Sequence, residues 1–313
     1  MVEPSRHMDA VQDPGLFNDV KETVARASIV NPDLVPPPAA GEGPPAALPL
    51  LPHQPLAAAV REILEASSAP RIAGASVASA VVFRNTGEAE TLLWAFAPRP
   101  SKKPLLHLLV RGEDGREVAT LAEPAEASNA FSAHATGMVA LRRLTLPPGS
   151  YSASLALTDP DGKPLAAGTM PIQVPGMESF AVSSLILTRG PAQATGTTTS
   201  PAFQFAGTLL PPRADAAFTP SESLWYFVEV ANPSDPAKVM LEPRLRRDGQ
   251  PLAGLPPFPA ILQPIGARRY LAGVELPLSS LGTGDYILYL SVRDGENEER
   301  PRVLRRADFH VVP

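Results

Sequence analysis

One strand signature occurs twice in this chain of 313 residues. The first copy runs from Pro148-Gly149-Ser150-Tyr151 through Ser-Ala-Ser-Leu-Ala-Leu-Thr to Asp159. The second runs from Thr283-Gly284-Asp285-Tyr286 through Ile-Leu-Tyr-Leu-Ser-Val-Arg to Asp294. In each, a Gly-containing turn delivers a Tyr, alternating residues follow, and an Asp opens the next turn eight residues after the Tyr. A repeat constrains architecture before any single motif does, because each copy must bury the same face. Alternation identifies that face: Ala153, Leu155 and Leu157 against Ser152, Ser154 and Ala156, then Leu288, Leu290 and Val292 against Ile287, Tyr289 and Ser291. A period of two with one apolar face describes a half-buried antiparallel strand.

Other landmarks repeat at nearly the same distance. The two Tyr residues are 135 apart, Asp114-Gly115 and Asp248-Gly249 are 134 apart, and the two tryptophans, Trp94 and Trp225, are 131 apart. These offsets indicate a duplicated unit with small insertions. Proline supplies 38 of the residues, more than double the usual ~5%. Each interior Pro removes a helix donor and clashes with the preceding turn, so many short strands between turns fit better than long helices.

The predicted fold is all-β: two tandem antiparallel β-sandwiches of immunoglobulin or fibronectin type III kind, residues 71–175 and 176–313. Strands are expected in the first at Val77–Arg84, Thr91–Ala97, Leu105–Arg111, Arg116–Leu121, Gly137–Thr145, Tyr151–Asp159 and Ala166–Val174. In the second they are expected at Ala181–Leu187, Leu224–Val230, Val239–Arg246, Arg268–Glu275, Tyr286–Arg293 and Val303–Val311. Residues 190–222 are expected to be a long loop, mobile around Gly196-Thr-Thr-Thr-Ser200. Residues 1–70 read as a flexible Pro-rich arm with one or two short helices. One is Asp13–Ala27, with Leu16, Val20 and Val24 on one face, and the other Pro55–Ala66, with Leu56, Val60, Ile63 and Leu64 together. Such an arm is either a solvated tail or docks its apolar stripes on a partner or on the chain's own sandwich.

Chemistry is sparse in the sequence. A net charge of −5 and pI near 5.6 argue against a nucleic-acid partner, which needs a basic footprint. With no cysteine, disulfides, thiolate metal sites and cysteine nucleophiles are excluded. No apolar run reaches the ~18 residues of a membrane span. The N-terminus lacks the basic-then-apolar pattern of a secretory signal, leaving a cytoplasmic protein or a mature or truncated one. The five histidines, His7, His53, His107, His134 and His310, have no ligand-like spacing, and no Gly-x-Ser-x-Gly, Walker or Gly-x-Gly-x-x-Gly motif occurs. No catalytic residue and no cofactor is expected.

Asp159 and Asp161, with Asp294 and Glu296 in the equivalent turn, are candidate calcium ligands through hard oxygens. Asp-Gly is also simple hairpin chemistry, and plain turns are the preferred reading. Tyr151 and Tyr286 are expected to be structural, each locking a tyrosine corner by bonding upstream backbone; Trp94 and Trp225 are likewise expected to be structural. Ile287 and Tyr289, with Trp225 or Tyr226, would form either an exposed aromatic platform for sugars or, preferably, an inter-domain contact.

The second half resembles a family. It contains Ser183-Ser184-Leu185-Ile186-Leu187, then Phe227-Val-Glu-Val-Ala-Asn232-Pro233, then Leu-Arg-Arg-Asp248-Gly249, and finally Leu276-Pro277-Leu278-x-x-Leu281-x-x-Gly284-x-Tyr286. Residues 71–313 are similar to the C-terminal β-sandwich region of bacterial von Willebrand factor type A-related envelope and secreted proteins. The chain departs from that family in lacking an Asp-x-Ser-x-Ser metal-adhesion motif and the domain that carries it. The resemblance implies an accessory part, non-catalytic and extracytoplasmic, acting in scaffolding or adhesion with a protein partner. The alternatives are a carbohydrate-binding module with a glycan partner, or an accessory segment of a larger secreted hydrolase.

Overall fold

The computed structural model describes residues 51–66, 72–84, 87–98, 103–128, 130–131, 137–193, 201–205, 208–254 and 256–313. The predicted helix Asp13–Ala27 and the stretch 196–200 lie outside the described residues. The described chain is mostly strand, in several largely antiparallel sheets, with one α-helix.

Seven strands make the first sheet pair: β1 (Ser76–Phe83), β2 (Ala89–Ala97), β3 (Leu105–Gly112), β4 (Glu117–Pro124), β5 (Met138–Leu144), β6 (Gly149–Thr158) and β7 (Pro164–Val174). A three-stranded sheet, β1-β2-β5, faces a four-stranded sheet, β4-β3-β6-β7. Leu93, Ala95 and Ala140 from one meet Leu108, Leu121, Leu155 and Ile172 from the other in one core. The short turns between strands depend on backbone freedom. Gly115, closing β3 to β4, has φ 77°, a region that glycine enters without a Cβ penalty.

The second pair begins with β8 (Ala181–Val182) and β9 (Ile186–Thr188), continues through β10 (Ala192–Gln193), β11 (Gln204–Phe205), β12 (Thr208–Leu209) and β13 (Ala217–Phe218), and reaches β14 (Ser223–Ala231). Then come β15 (Met240–Arg247), β16 (Gln250–Gly254), β17 (Phe258–Pro259), β18 (Leu262–Gly266), β19 (Arg269–Pro277), β20 (Gly284–Arg293) and β21 (Arg302–Val311). One sheet runs β18-β19-β14-β8 with β9 also on β14; the other runs β13-β21-β20-β15-β16 with β17 on β15. β13 is the exception to the antiparallel rule, lying parallel to β21. Tyr226, Val228, Leu241, Leu288, Leu290 and Phe309 share the core between the sheets.

The pairing scheme recurs in both halves. β2 pairs β5 as β14 pairs β19, β3 pairs β6 as β15 pairs β20, and β6 pairs β7 as β20 pairs β21. The predicted strand Ala181–Leu187 is broken into β8 and β9, because Ser184 N–H turns to Val81 C=O on β1 and the Ser183 hydroxyl takes the Glu229 N–H. Residues 190–222 differ from expectation where they are described: a small sheet, β10-β12-β11, and a 3-10 turn, Pro201–Phe203, replace a loop.

Helix α1 (Ala58–Glu65) covers the outer face of the four-stranded sheet. Val60 and Leu64 pack on Leu109 and Ala156, with Leu56 and Ile63 beside them. Ala57 at its start makes no capping bond, and isolated helices this short are unstable in water, so tertiary contacts hold it. Preceding it, Gln54 N–H donates to Thr120 C=O (2.9 Å) and Thr120 N–H to Pro52 C=O (2.8 Å), which occupies the edge of β4. Arg61 pairs with Glu65 and Glu117, and Arg111 with Glu65 (2.5 Å). Arg111 holds the Glu65 carboxyl below its ordinary value, and Arg61 does the same for Glu117.

Because both folded-state values are depressed, their contribution is present above the unfolded carboxylate range, ~4.3, and is lost as pH falls through the folded values. Hydrogen exchange corrected for its intrinsic pH dependence should therefore show residues 58–65 losing protection in acid before β3 and β6. Equal protection of the helix at neutral pH and well below that range would contradict this assignment.

Candidate functional site

The least ordinary chemistry lies at the seam between the two sheet pairs. β2 and β14 are buried on both faces: Leu93 and Ala95 point into the first core, while Leu92, Trp94 and Phe96 point out of it. β14 likewise sends Trp225 and Phe227 outward. These outward faces meet in a third hydrophobic cluster with Ile186, Ile265, Leu271, Phe131 and Phe203. Phe203, fully buried, stands edge-on to Trp94 (6.1 Å between ring centroids) and Phe131 (5.5 Å). Phe205, Leu210 and Ala214 enter beside it, so the described part of 190–222 plugs the seam. Gly273 lies opposite Phe227 on β19, and a Cβ there would collide with that ring.

A polar clamp closes the seam along β1, whose outer edge has no strand partner among the described residues. Open strand edges leave N–H and C=O groups that template wrong pairing. Here Val81 N–H donates to Ser184 Oγ (2.8 Å) and Ser184 N–H returns to Val81 C=O (2.9 Å). Phe83 N–H donates to Glu229 Oε1 (2.7 Å). Arg269 Nη2 donates both to Phe83 C=O and to Glu229 Oε2, each at 2.6 Å. Behind them, Glu229 N–H donates to Ser183 Oγ (2.7 Å) and Ser183 N–H to Glu229 C=O (2.9 Å). From β21, the Arg305 guanidinium donates to Ser183 C=O (2.8 Å) and Val182 C=O (2.5 Å), and burial pulls its pKa down to about 10.

Glu229 has no exposed surface and Arg269 almost none. Burial pushes the Glu229 carboxyl up from its ordinary value, while Arg269 and the Phe83 N–H pull it down. A carboxylate so enclosed cannot meet a substrate. The arrangement can fix register and orientation between two bodies, because a buried pair is satisfied in one geometry only. Ser76 Oγ adds a bond to Ala214 C=O (2.7 Å), tying the plug to β1. Arg213, over the Phe218 ring, pairs with Asp215 (2.9 Å) and Glu222 (3.6 Å) and ties the plug to the second sheet pair.

The residues singled out from sequence fall in separate places. Tyr151 donates its hydroxyl to Pro147 C=O (2.9 Å) and Tyr286 to Gly282 C=O (2.7 Å), each four residues upstream. Asp159 accepts the N–H groups of Asp161 (3.0 Å) and Lys163 (2.8 Å), a turn function, and Asp161 is exposed. Asp294 is buried and accepts Ser234 N–H (2.8 Å), whereas Glu296 is exposed. Among the described residues no group of three or more His, Asp or Glu side chains gathers as a metal would require. The aromatic platform does not form. Trp225 lies in the seam, Tyr226 points into the second core, and Ile287 and Tyr289 sit on the opposite sheet.

Sequence reading missed Glu229, Arg269, Ser184 and Phe203. One signal was present: Glu229 is the only charged residue in the run Ser223–Ala231, and a strand apolar at every position is covered on both faces.

No protein-family profile matches the chain, and no curated protein sequence matches it. Among solved structures it is distantly similar to a purple acid phosphatase from yellow lupin (Lupinus luteus) seeds, at 10% identity and a TM-score of 0.25, over 76% of this chain and 41% of that one. It is also distantly similar to red sea bream transglutaminase, at 11% identity and a TM-score of 0.21, over 78% of this chain and 32% of that one. The chain spans less than half the length of either.

Proposed function

We propose that this chain is a non-catalytic structural or protein-interaction module that acts in scaffolding or adhesion at the bacterial envelope. It is built from two tandem sandwiches of immunoglobulin or fibronectin type III kind. The three-against-four strand order of the first pair and the two Tyr hydroxyl bonds support that fold. One observation carries the functional reading: the seam. Inter-domain contacts within a chain are usually modest and permit relative motion. Here a hydrophobic cluster, an inserted plug and a buried ion pair join the two copies. A protein that transmits position or force from one end to the other needs that rigidity, and an enzyme closing over a substrate would be hindered by it.

In-cell cross-linking followed by fractionation tests the proposal. Discrete cross-linked species in the envelope fraction are the expected result. Recovery of the uncross-linked chain from the cytosol alone, or turnover of ester, phosphoester or glycoside substrates by the purified chain, would overturn it.

A further inference from the structure

His107 lies beneath the N-terminal cover of the first sheet pair. Along β3, Leu106, Leu108 and Val110 face the core and Leu109 faces α1, so His107 shares the outer face with Leu109. In register it stands between Ala122 on β4 and Ala156 on β6. The chain from Gln54 to Val60 joins those same two positions. Gln54 Oε1 accepts Ala122 N–H (2.9 Å) at the edge of β4, and Val60 and Leu64 pack with Leu109 and Ala156. The segment therefore crosses over His107, which is 5% exposed.

Only one nitrogen of the ring is satisfied. Nε2 shares a hydrogen bond with the buried Thr158 hydroxyl (3.0 Å). Nδ1 is enclosed and has no hydrogen-bond partner among the described residues. A neutral imidazole leaves one acceptor unpaired there. An imidazolium carries a proton on each nitrogen, so the covered site would hold a charge and a donor, neither with a partner.

The surrounding charges are committed elsewhere. Arg61 and Glu65 of α1, Arg111 on β3 and Glu117 on β4 pair with one another, and Glu62 is exposed. Glu123 on β4 pairs with Arg142 on β5. Asp159, in the turn after β6, accepts the N–H groups of Asp161 and Lys163. β6 and β7 contain no charged residue. Burial alone acts on the His107 pKa, and lowers it.

We infer that residues 51–66 are an acid-released cover, held on the sheet only while His107 is neutral. Protonation lifts the segment. It bares Leu109, Ala156 and Ala167 and reopens the edge of β4 that Pro52 and Gln54 occupy. Because covering weakens the hold of His107 on its proton, its contribution is complete above the free value, ~6.5, and is lost as pH falls below it. That window lies above the carboxylate step of Glu65 and Glu117.

Hydrogen exchange of residues 58–65 in the full chain, corrected for its intrinsic pH dependence, tests this. It should quicken between pH ~7.5 and ~5.5 by up to about tenfold, the limit for one proton over the unit below the free value. Amides of β3 and β6 should not change. His107→Gln keeps a donor for Thr158 but takes no charge, so it should abolish this step and leave the carboxylate step in place. His53→Gln, at an exposed histidine of the same segment, should leave both. In the unsubstituted chain, NMR of the His107 ring protons should give the same midpoint as the α1 amide shifts, a readout that needs no variant. Equal exchange at both pH values, a step shared by β3 and β6, or two different NMR midpoints would overturn the proposal. So would a step that survives His107→Gln or disappears with His53→Gln.

Discussion

Replacing Glu229 with Ala should lower stability by about 3–5 kcal/mol, because it leaves the Arg269 guanidinium buried without its anion. The same change removes the acceptor of Phe83 N–H on the other side of the seam, and a buried donor without a partner costs about 1–3 kcal/mol. Glu229→Gln keeps an acceptor for that N–H and should be milder. In Glu229→Met with Arg269→Met, the apolar pair removes the stranded charge and recovers part of the loss. Recovery is incomplete because Phe83 still loses both partners. Urea unfolding followed by tryptophan emission reads the seam directly, since Trp94 and Trp225 both lie in it. Far-UV circular dichroism reads the sheets. Glu229→Ala should move the emission transition to lower urea by more than the dichroism transition. If neither transition moves, the pair is not what joins the two halves.

Phe203→Ala should destabilise by about 3–5 kcal/mol as well, the range for emptying a buried aromatic site. The residue has no exposed surface and touches rings from the first sheet pair, although it belongs to a segment inserted within the second. Trp94 is fixed on β2 and cannot collapse into the space, so the cavity term adds to the lost transfer energy. The melting midpoint should fall by roughly 2–4 °C per kcal/mol, and Trp94 emission should move to the red as water reaches the seam. Ile261→Ser, at a site 60% exposed, should stay within about 0.5 kcal/mol of the parent. If the two substitutions behave alike, residues 201–214 are not a plug.

Much of the strand order was legible, and the reason is local. Period-two alternation, Gly- and Asp-bearing turns and the repeated Tyr follow from the pleat and from positive φ, which a sequence displays directly. The segment Tyr286–Leu290 alternates buried and half-buried residues because one face meets the core and the other is only partly covered. The helix at 58–65 could be read from the i, i+4 spacing of its stripe for the same reason. The segment 201–218 could not: its two-residue strands have no period, and only the seam gives Phe203 a place to go. Ser183 and Ser184 look like ordinary strand residues until β1 is set beside them, when their hydroxyls and backbone become the partners of an open edge.

The repeated Tyr signature and the proline content determined that this chain is mostly strand, because periodicity and turn chemistry act over a few residues. The tertiary structure decided how the two sheet pairs face one another. A continuous apolar run such as that around Trp94 states that both faces are covered, yet it does not name what covers them. The partner of Glu229 lies 40 residues away and that of Phe83 lies 146 away. A contact set by three-dimensional register leaves no spacing in the sequence from which it could be read.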